Sequence, residues 1–169
     1  MKCLPLLSGL TLLSLFTSGA ALADKIPESV KGCFYVSVDN TAVVFVNGKQ
    51  IHRGGLGVSR SAELELKVGD RVVMQVENLG GPKKFQTVFL STDKQKVINF
   101  RRSDWRLVQG GDVKDFDAEQ YRSWTKAPTI SKEANAFSFK HQSDPVWGDK
   151  PRFTIACNVS ASMLSNMSK

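Results

Sequence analysis

The sequence predicts an all-β protein, an antiparallel β-sandwich, and three observations carry that prediction. Short runs of alternating or β-branched apolar residues recur along the chain. Turn signals rich in Gly, Asn and Asp separate them at intervals of about ten residues, and helical periodicity is scarce. The fold is expected to begin after Ala23. Residues Met1 to Ala23 read as a secretory signal peptide, with Lys2, an apolar run from Leu4 to Leu15 and the small-residue ending Ala21-Leu22-Ala23. That run is shorter than the roughly 18 to 20 apolar residues a membrane span needs, and no later stretch comes near it. Taking 23 residues from 169 leaves 146. This suits one domain with a sizeable core, expected over 24–159 with a flexible tail over 160–169. The expected location is secreted, periplasmic or extracellular.

The elements follow in order. Cys33 to Val38 is the first run, and Ala42 to Val46 the second. The second ends at Asn47-Gly48, inside the stretch DNTAVVFVNGKQI. Asn-Gly favours a type I′ hairpin because both central residues of that turn need positive φ. In Ala62 to Leu66 and the residues after it, Leu64, Leu66 and Val68 share one face and Glu63, Glu65 and Lys67 the other, as a half-buried strand requires. Gly69-Asp70 then turns the chain into Arg71 to Glu77, where Val72, Met74 and Val76 alternate with polar neighbours. These two runs are expected to pair with each other. Phe85 to Leu90, Val97 to Phe100, Trp105 to Val108, Ala136 to Lys140 and Arg152 to Cys157 complete the set. Residues 110–135 show little alternation and a single helical turn around Asp117 to Arg122. They read as a long connection between sheets, a kind of segment that is often functional.

Cys3 lies in the signal peptide, which leaves Cys33 and Cys157. In an oxidising compartment two cysteines most simply make one disulfide, here joining the first and last strands and worth ~3 to 5 kcal/mol. The alternative, a zinc ion held by both cysteines with His52 and His141, lacks any C-x-x-C or H-x-x-x-H spacing. The formal charge is +7, or +6 without Lys2. Its excess gathers at Lys83, Lys84, Lys94, Lys96, Arg101, Arg102 and Arg106. Such a basic cluster draws anionic polysaccharide or lipid surfaces through a salt-sensitive attraction, or else it only keeps strand faces soluble.

Catalysis is not expected: nucleophile elbows, His-Glu-x-x-His and phosphate-binding loops are missing from the sequence. Asp112, Asp115, Asp117 and Glu119 read as a solvated loop rather than a glycosidase pair. Asp115, Asp117 and Glu119 also form a weak calcium pattern, without the glycine and distal Glu of an EF-hand loop. No other cofactor is implied, and nucleic acid is not expected as a ligand. Asn158-Val159-Ser160 and Asn166-Met167-Ser168 fit the glycosylation acceptor pattern.

DNTAVVFVNGKQI, then LKVGDRVVMQVENLGGPKKFQTVFLS, SDWRLV, Trp124 with Lys126-Ala127-Pro128, and DPVWG occur in that order. Together they resemble the galactose-binding-domain-like jelly rolls attached to bacterial rhamnosidases and other secreted glycan-active proteins. The match runs from about Gly32 to Gly148, and departs where Pro145-Val146-Trp147-Gly148 replaces a Pro-Trp-Gly. The resemblance implies a jelly-roll sandwich and, by analogy of fold, non-catalytic lectin-like carbohydrate binding. Sugars stack their C–H faces on aromatic rings while polar side chains take the hydroxyls. Trp105 and Trp124 with Arg101, Arg102 and Arg106 are therefore the candidate site, with anionic glycans preferred. Asp39, Asn40, Asn47 and Lys49 of the hairpin are further candidates. For Trp105 and Trp147 the favoured alternative is that they plug the ends of the sandwich, as matching tryptophans do in similar modules. The alternative function is an interaction or structural module that binds a protein partner or an anionic surface electrostatically.

Overall fold

Period-two alternation decides what each strand buries, and the strands pair into two antiparallel sheets packed face to face as a sandwich. The architecture comes from a computed structural model, which describes residues 27–80, 85–108, 112–128, 136–147 and 150–167. The five-stranded sheet contains β1 (Ser29–Val38), β4 (Gly57–Arg60), β5 (Leu64–Lys67), β7 (Phe85–Ser91) and β8 (Val97–Asn99). In it β7 lies between β1 and β8, while β4 and β5 share the other edge of β1. The six-stranded sheet has the order β10 (Thr125–Lys126), β9 (Arg106–Val108), β11 (Arg152–Asn158), β6 (Arg71–Glu77), β2 (Thr41–Val46) and β3 (Lys49–Gly54). Among the described residues three short helices complete the fold: η1 (Arg102–Asp104), α1 (Ala118–Ser123) and α2 (Ala161–Ser165).

The shared core is the sum of the inward positions. β1 supplies Phe34, Val36 and Val38, and β2 supplies Ala42, Val44 and Val46. Val72, Met74 and Val76 come from β6, with Phe153, Ile155 and Cys157 from β11. Phe100 and Trp105 stack at a 5.2 Å centroid separation inside it. Asn47 (φ 49°) and Gly48 (φ 77°) form the expected type I′ turn between β2 and β3.

Several expectations are corrected. Cys33 and Cys157 are free thiols, on β1 and β11 of different sheets. Phe34, Val36 and Val38 face the core, so the alternation turns Cys33 outward beside Leu90, while Cys157 faces the core. No disulfide geometry connects two such positions. The Gly69-Asp70 turn does not make a hairpin either. β5 pairs with β1 and β6 with β2 and β11, so the chain crosses from one sheet to the other there. Alternation shows which face of a strand is buried and says nothing about its neighbour. Residues 137–139 form bends rather than a strand. A polar edge strand, β4, escaped notice because an edge strand needs little apolar patterning, while β3 is the return strand of the Asn47-Gly48 hairpin. The ending expected to be flexible instead folds as α2, which buries Met163 and Leu164 against the core. The expected signal peptide and Lys83-Lys84 lie outside the described residues.

Candidate functional site

Cross-strand partners share a face, so the register reads out the outer surface of the six-stranded sheet row by row. One row is Arg53, Val43, Gln75, Thr154 and Val108; the next, towards one end, is Thr41, Glu77 and Arg152. On the other side of the first row lie Phe45, Val73, Ala156 and Arg106. The segment 112–124 crosses this apolar row and buries it. Phe116 stacks on Tyr121 at 5.2 Å and meets Trp124 edge-on at 5.6 Å, over Phe45, Val73 and Ala156.

Charge and capping hold that segment in place. Arg71 donates from Nε and a terminal nitrogen to the two carboxylate oxygens of Asp115, at 2.7 and 2.9 Å. The guanidinium keeps the Asp115 carboxyl below its ordinary range. Asp117 caps α1 by accepting from the backbone N–H groups of Glu119 and Gln120, and Gln120 returns the bond. The Tyr121 hydroxyl donates to the Asp104 carbonyl at 2.8 Å, and burial pushes its pKa up to about 12. Arg106 lies over the Tyr121 ring at 5.3 Å.

The cover closes over the first two rows only in part: Val43, Thr154 and Val108 are buried, Gln75 and Glu77 half-buried, and Arg53 and Arg152 exposed. What it leaves is a groove of about 600 Å³. Val43 and Val108 make its apolar floor, with Gln75 and Thr154 between them. Arg53 and the Arg152–Glu77 ion pair flank it, and Asp112 and Lys150 stand at its rim. Gln75 donates to the Val113 carbonyl at 3.2 Å, which ties the floor to the start of the cover. The arrangement is a dense set of donors and acceptors over an apolar base, suited to a hydroxylated ligand. Among the described residues no group of three or more His, Cys, Asp or Glu is placed to hold a metal ion.

The predicted site residues are not brought together. Trp105 is fully buried and offers no ring face to a ligand; Trp147 is buried as well, against Phe153. Trp124 is half-buried against Phe116. Arg101, Arg102 and Arg106 gather around η1, but each is engaged. The Arg101 guanidinium reaches the Gln142 side chain, and Arg102 Nε donates to the Ala127 carbonyl at 3.1 Å. Asp39 and Asn40 precede β2 while Asn47 and Lys49 follow it, so a strand length separates the two pairs. Asn40 accepts from the Leu79 N–H at 2.8 Å. Asn47 is bound to Asp70 and Arg71 through both its side chain and its backbone. Both asparagines therefore do structural work. The calcium pattern dissolves too: Asp115 is committed to Arg71, and Asp117 to the helix cap.

Sequence reasoning missed Arg53, Gln75, Thr154 and Lys150. Gln75 and Glu77 were visible as the outward positions of one strand, but their register with Thr154 and Arg53 was not. Comparison with known proteins returns no match to this chain, whether to a family model, a curated sequence or a solved structure.

Proposed function

We propose that the protein is a non-catalytic, exported carbohydrate-binding module, and that the groove on the six-stranded sheet is its binding site. The observation that supports this reading most is the groove whose lining joins polar and apolar side chains in register across β3, β2, β6, β11 and β9. Side chains on a sheet are held at fixed spacing, and Gln75, Thr154 and Arg53 offer acceptors and donors to hydroxyl groups over the C–H-compatible floor of Val43 and Val108. Glu77 and Arg152 neutralise each other. Arg53 and Lys150 then outnumber Asp112, which favours an acidic sugar such as a uronic acid over a neutral one. Arg53 is exposed on the edge strand β3, where its guanidinium can take a carboxylate or a diol in two bonds.

A glycan array at physiological salt tests the proposal with the natural protein and Arg53→Ala, a change at an exposed position. The expected result is one sugar class, bound roughly tenfold or more weakly by the variant at unchanged circular dichroism. An empty array would remove the reading. So would equal retention of all polyanions that vanishes with added salt, which would favour an electrostatic surface module instead.

A further inference from the structure

The outer face of the five-stranded sheet carries a second groove, of different chemistry. Tyr35, Val88, Leu90 and Val97 point outward there, in register across β1, β7 and β8. Residues 136–143 cross that face and bury Phe137 on Val88, Leu90 and Val97. The aromatic rings continue as a line, with Phe137 to Phe139 at 5.5 Å and Phe139 to Tyr35 at 5.4 Å. Between this line and the β7–β8 turn lies a groove of about 540 Å³. Leu90, Val97, Tyr35 and Phe139 make it apolar. Lys94 and Lys140 stand on its rim, and among the described residues that line it there is no carboxylate.

The turn that presents Lys94 adds an independent observation. Lys94 sits at φ 58°, a left-handed conformation that disfavours a side chain and that Gly or Asn would occupy more cheaply. The turn is fixed by its own bonds: Lys94 N–H donates to the Ser91 carbonyl at 2.8 Å, and Asp93 accepts from the Ser91 hydroxyl and the Gln95 N–H. A strained backbone that carries a cation to the edge of an apolar groove suggests that the cation has a use there.

We propose that this groove is a second ligand site, for a free, single-chain anionic amphiphile. Its apolar body lies along Leu90, Tyr35 and Phe139, and its acidic head is met by Lys94 and Lys140. Charge complementarity selects this class: neutral apolar molecules leave both lysines without a partner, and small anions leave the groove empty.

Displacement of 8-anilino-1-naphthalenesulfonate by monomeric laurate, measured by fluorescence on the purified protein, tests the site. Dodecanol, acetate and phosphatidylglycerol vesicles are the controls. Laurate should bind to saturation at a single site, and dodecanol and acetate should compete poorly. Lys94→Gly and Lys140→Gln should each weaken laurate about fivefold or more. Lys94→Gly relieves the positive φ, so its melting temperature should hold or rise, and weaker binding cannot then come from unfolding. Arg53→Ala should bind laurate like the natural protein, which separates this site from the carbohydrate groove. The proposal is overturned by absent saturation, by dodecanol competing as well as laurate, by unchanged affinity in both lysine variants, by loss of binding in Arg53→Ala, or by retention on vesicles without binding of the monomer.

Discussion

Segment 112–124 on the six-stranded sheet and segment 136–143 on the five-stranded sheet both cover an outer face, yet they are held by different forces. The first is anchored by the Arg71–Asp115 ion pair and a capped helix, over a small apolar row. The second contains no helix or strand and is anchored by stacked rings and by side-chain hydrogen bonds to its backbone, of which that from Gln86 to Ser143 is buried. Gln86 accepts from the Ala136 N–H at 3.2 Å and donates to the Ser143 carbonyl at 2.7 Å, and Asn99 accepts from the Gln142 N–H. The surface left beside each cover has a matching character: a polar, charged groove next to the first and an apolar groove with a cationic rim next to the second. A sandwich has only one core, so whatever shields its outer faces also decides what those faces can bind.

The largest test of this comparison removes what both faces stand on. Trp105 is fully buried and stacked on Phe100. Trp105→Ala should cost ~3 to 5 kcal/mol in urea denaturation, and both grooves should lose their ligands together. Loss at one groove with the other intact would show that the faces do not depend on a common core.

A smaller effect separates the two anchors. Gln86→Ala leaves the Ala136 N–H and the buried Ser143 carbonyl unpaired, at ~2 to 3 kcal/mol. Asp115→Asn breaks an ion pair whose side chains are 37% exposed on each side, so solvent screening limits its effect to ~1 kcal/mol. Hydrogen exchange should speed up within 136–143 alone in the first variant and within 112–124 alone in the second. The reverse order of stabilities would mean that charge, not buried hydrogen bonding, is the stronger fastening.

Local chemistry made parts of this legible in the sequence. The alternation of Val72, Met74 and Val76 marked an inward face, Asn47-Gly48 marked a turn, and Asp117 to Arg122 marked the helix that became α1. What escaped was long-range. Gln75 and Thr154 become one floor only when β6 pairs with β11, a contact between distant parts of the chain that no local pattern encodes. Trp105 looked like a platform because it has arginine neighbours in sequence, but alternation sends those neighbours outward and the indole inward. The same parity argument, applied to Cys33 beside Phe34, would have warned against the disulfide.

The smallest effect is a pH dependence that should act on one cover and spare the other. His141 is buried against Phe137 at 5.0 Å and Phe139 at 6.2 Å. Its Nδ1 accepts from the Ser143 N–H at 3.2 Å, so the neutral ring carries its proton on Nε2, which is buried without a partner. Burial holds its pKa below the ordinary 6.5. The unfolded chain takes up a proton near 6.5 while the folded chain does so only at lower pH. Between those values the unfolded state binds more protons, so stability falls as pH drops through 6.5 and levels off below the folded value. His52 pushes the same way, since burial lowers it as well, but it lies on β3, away from this cover. Asp115 behaves differently: its depressed pKa keeps the ion pair charged until the pH falls below the ordinary 3.8. At pH 5.5, compared with pH 7.5 and corrected for intrinsic exchange, protection in 136–143 should decrease while that in 112–124 stays unchanged. His141→Gln should abolish the difference. Equal loosening of both segments would place the titration in the common core and not in the aromatic cover.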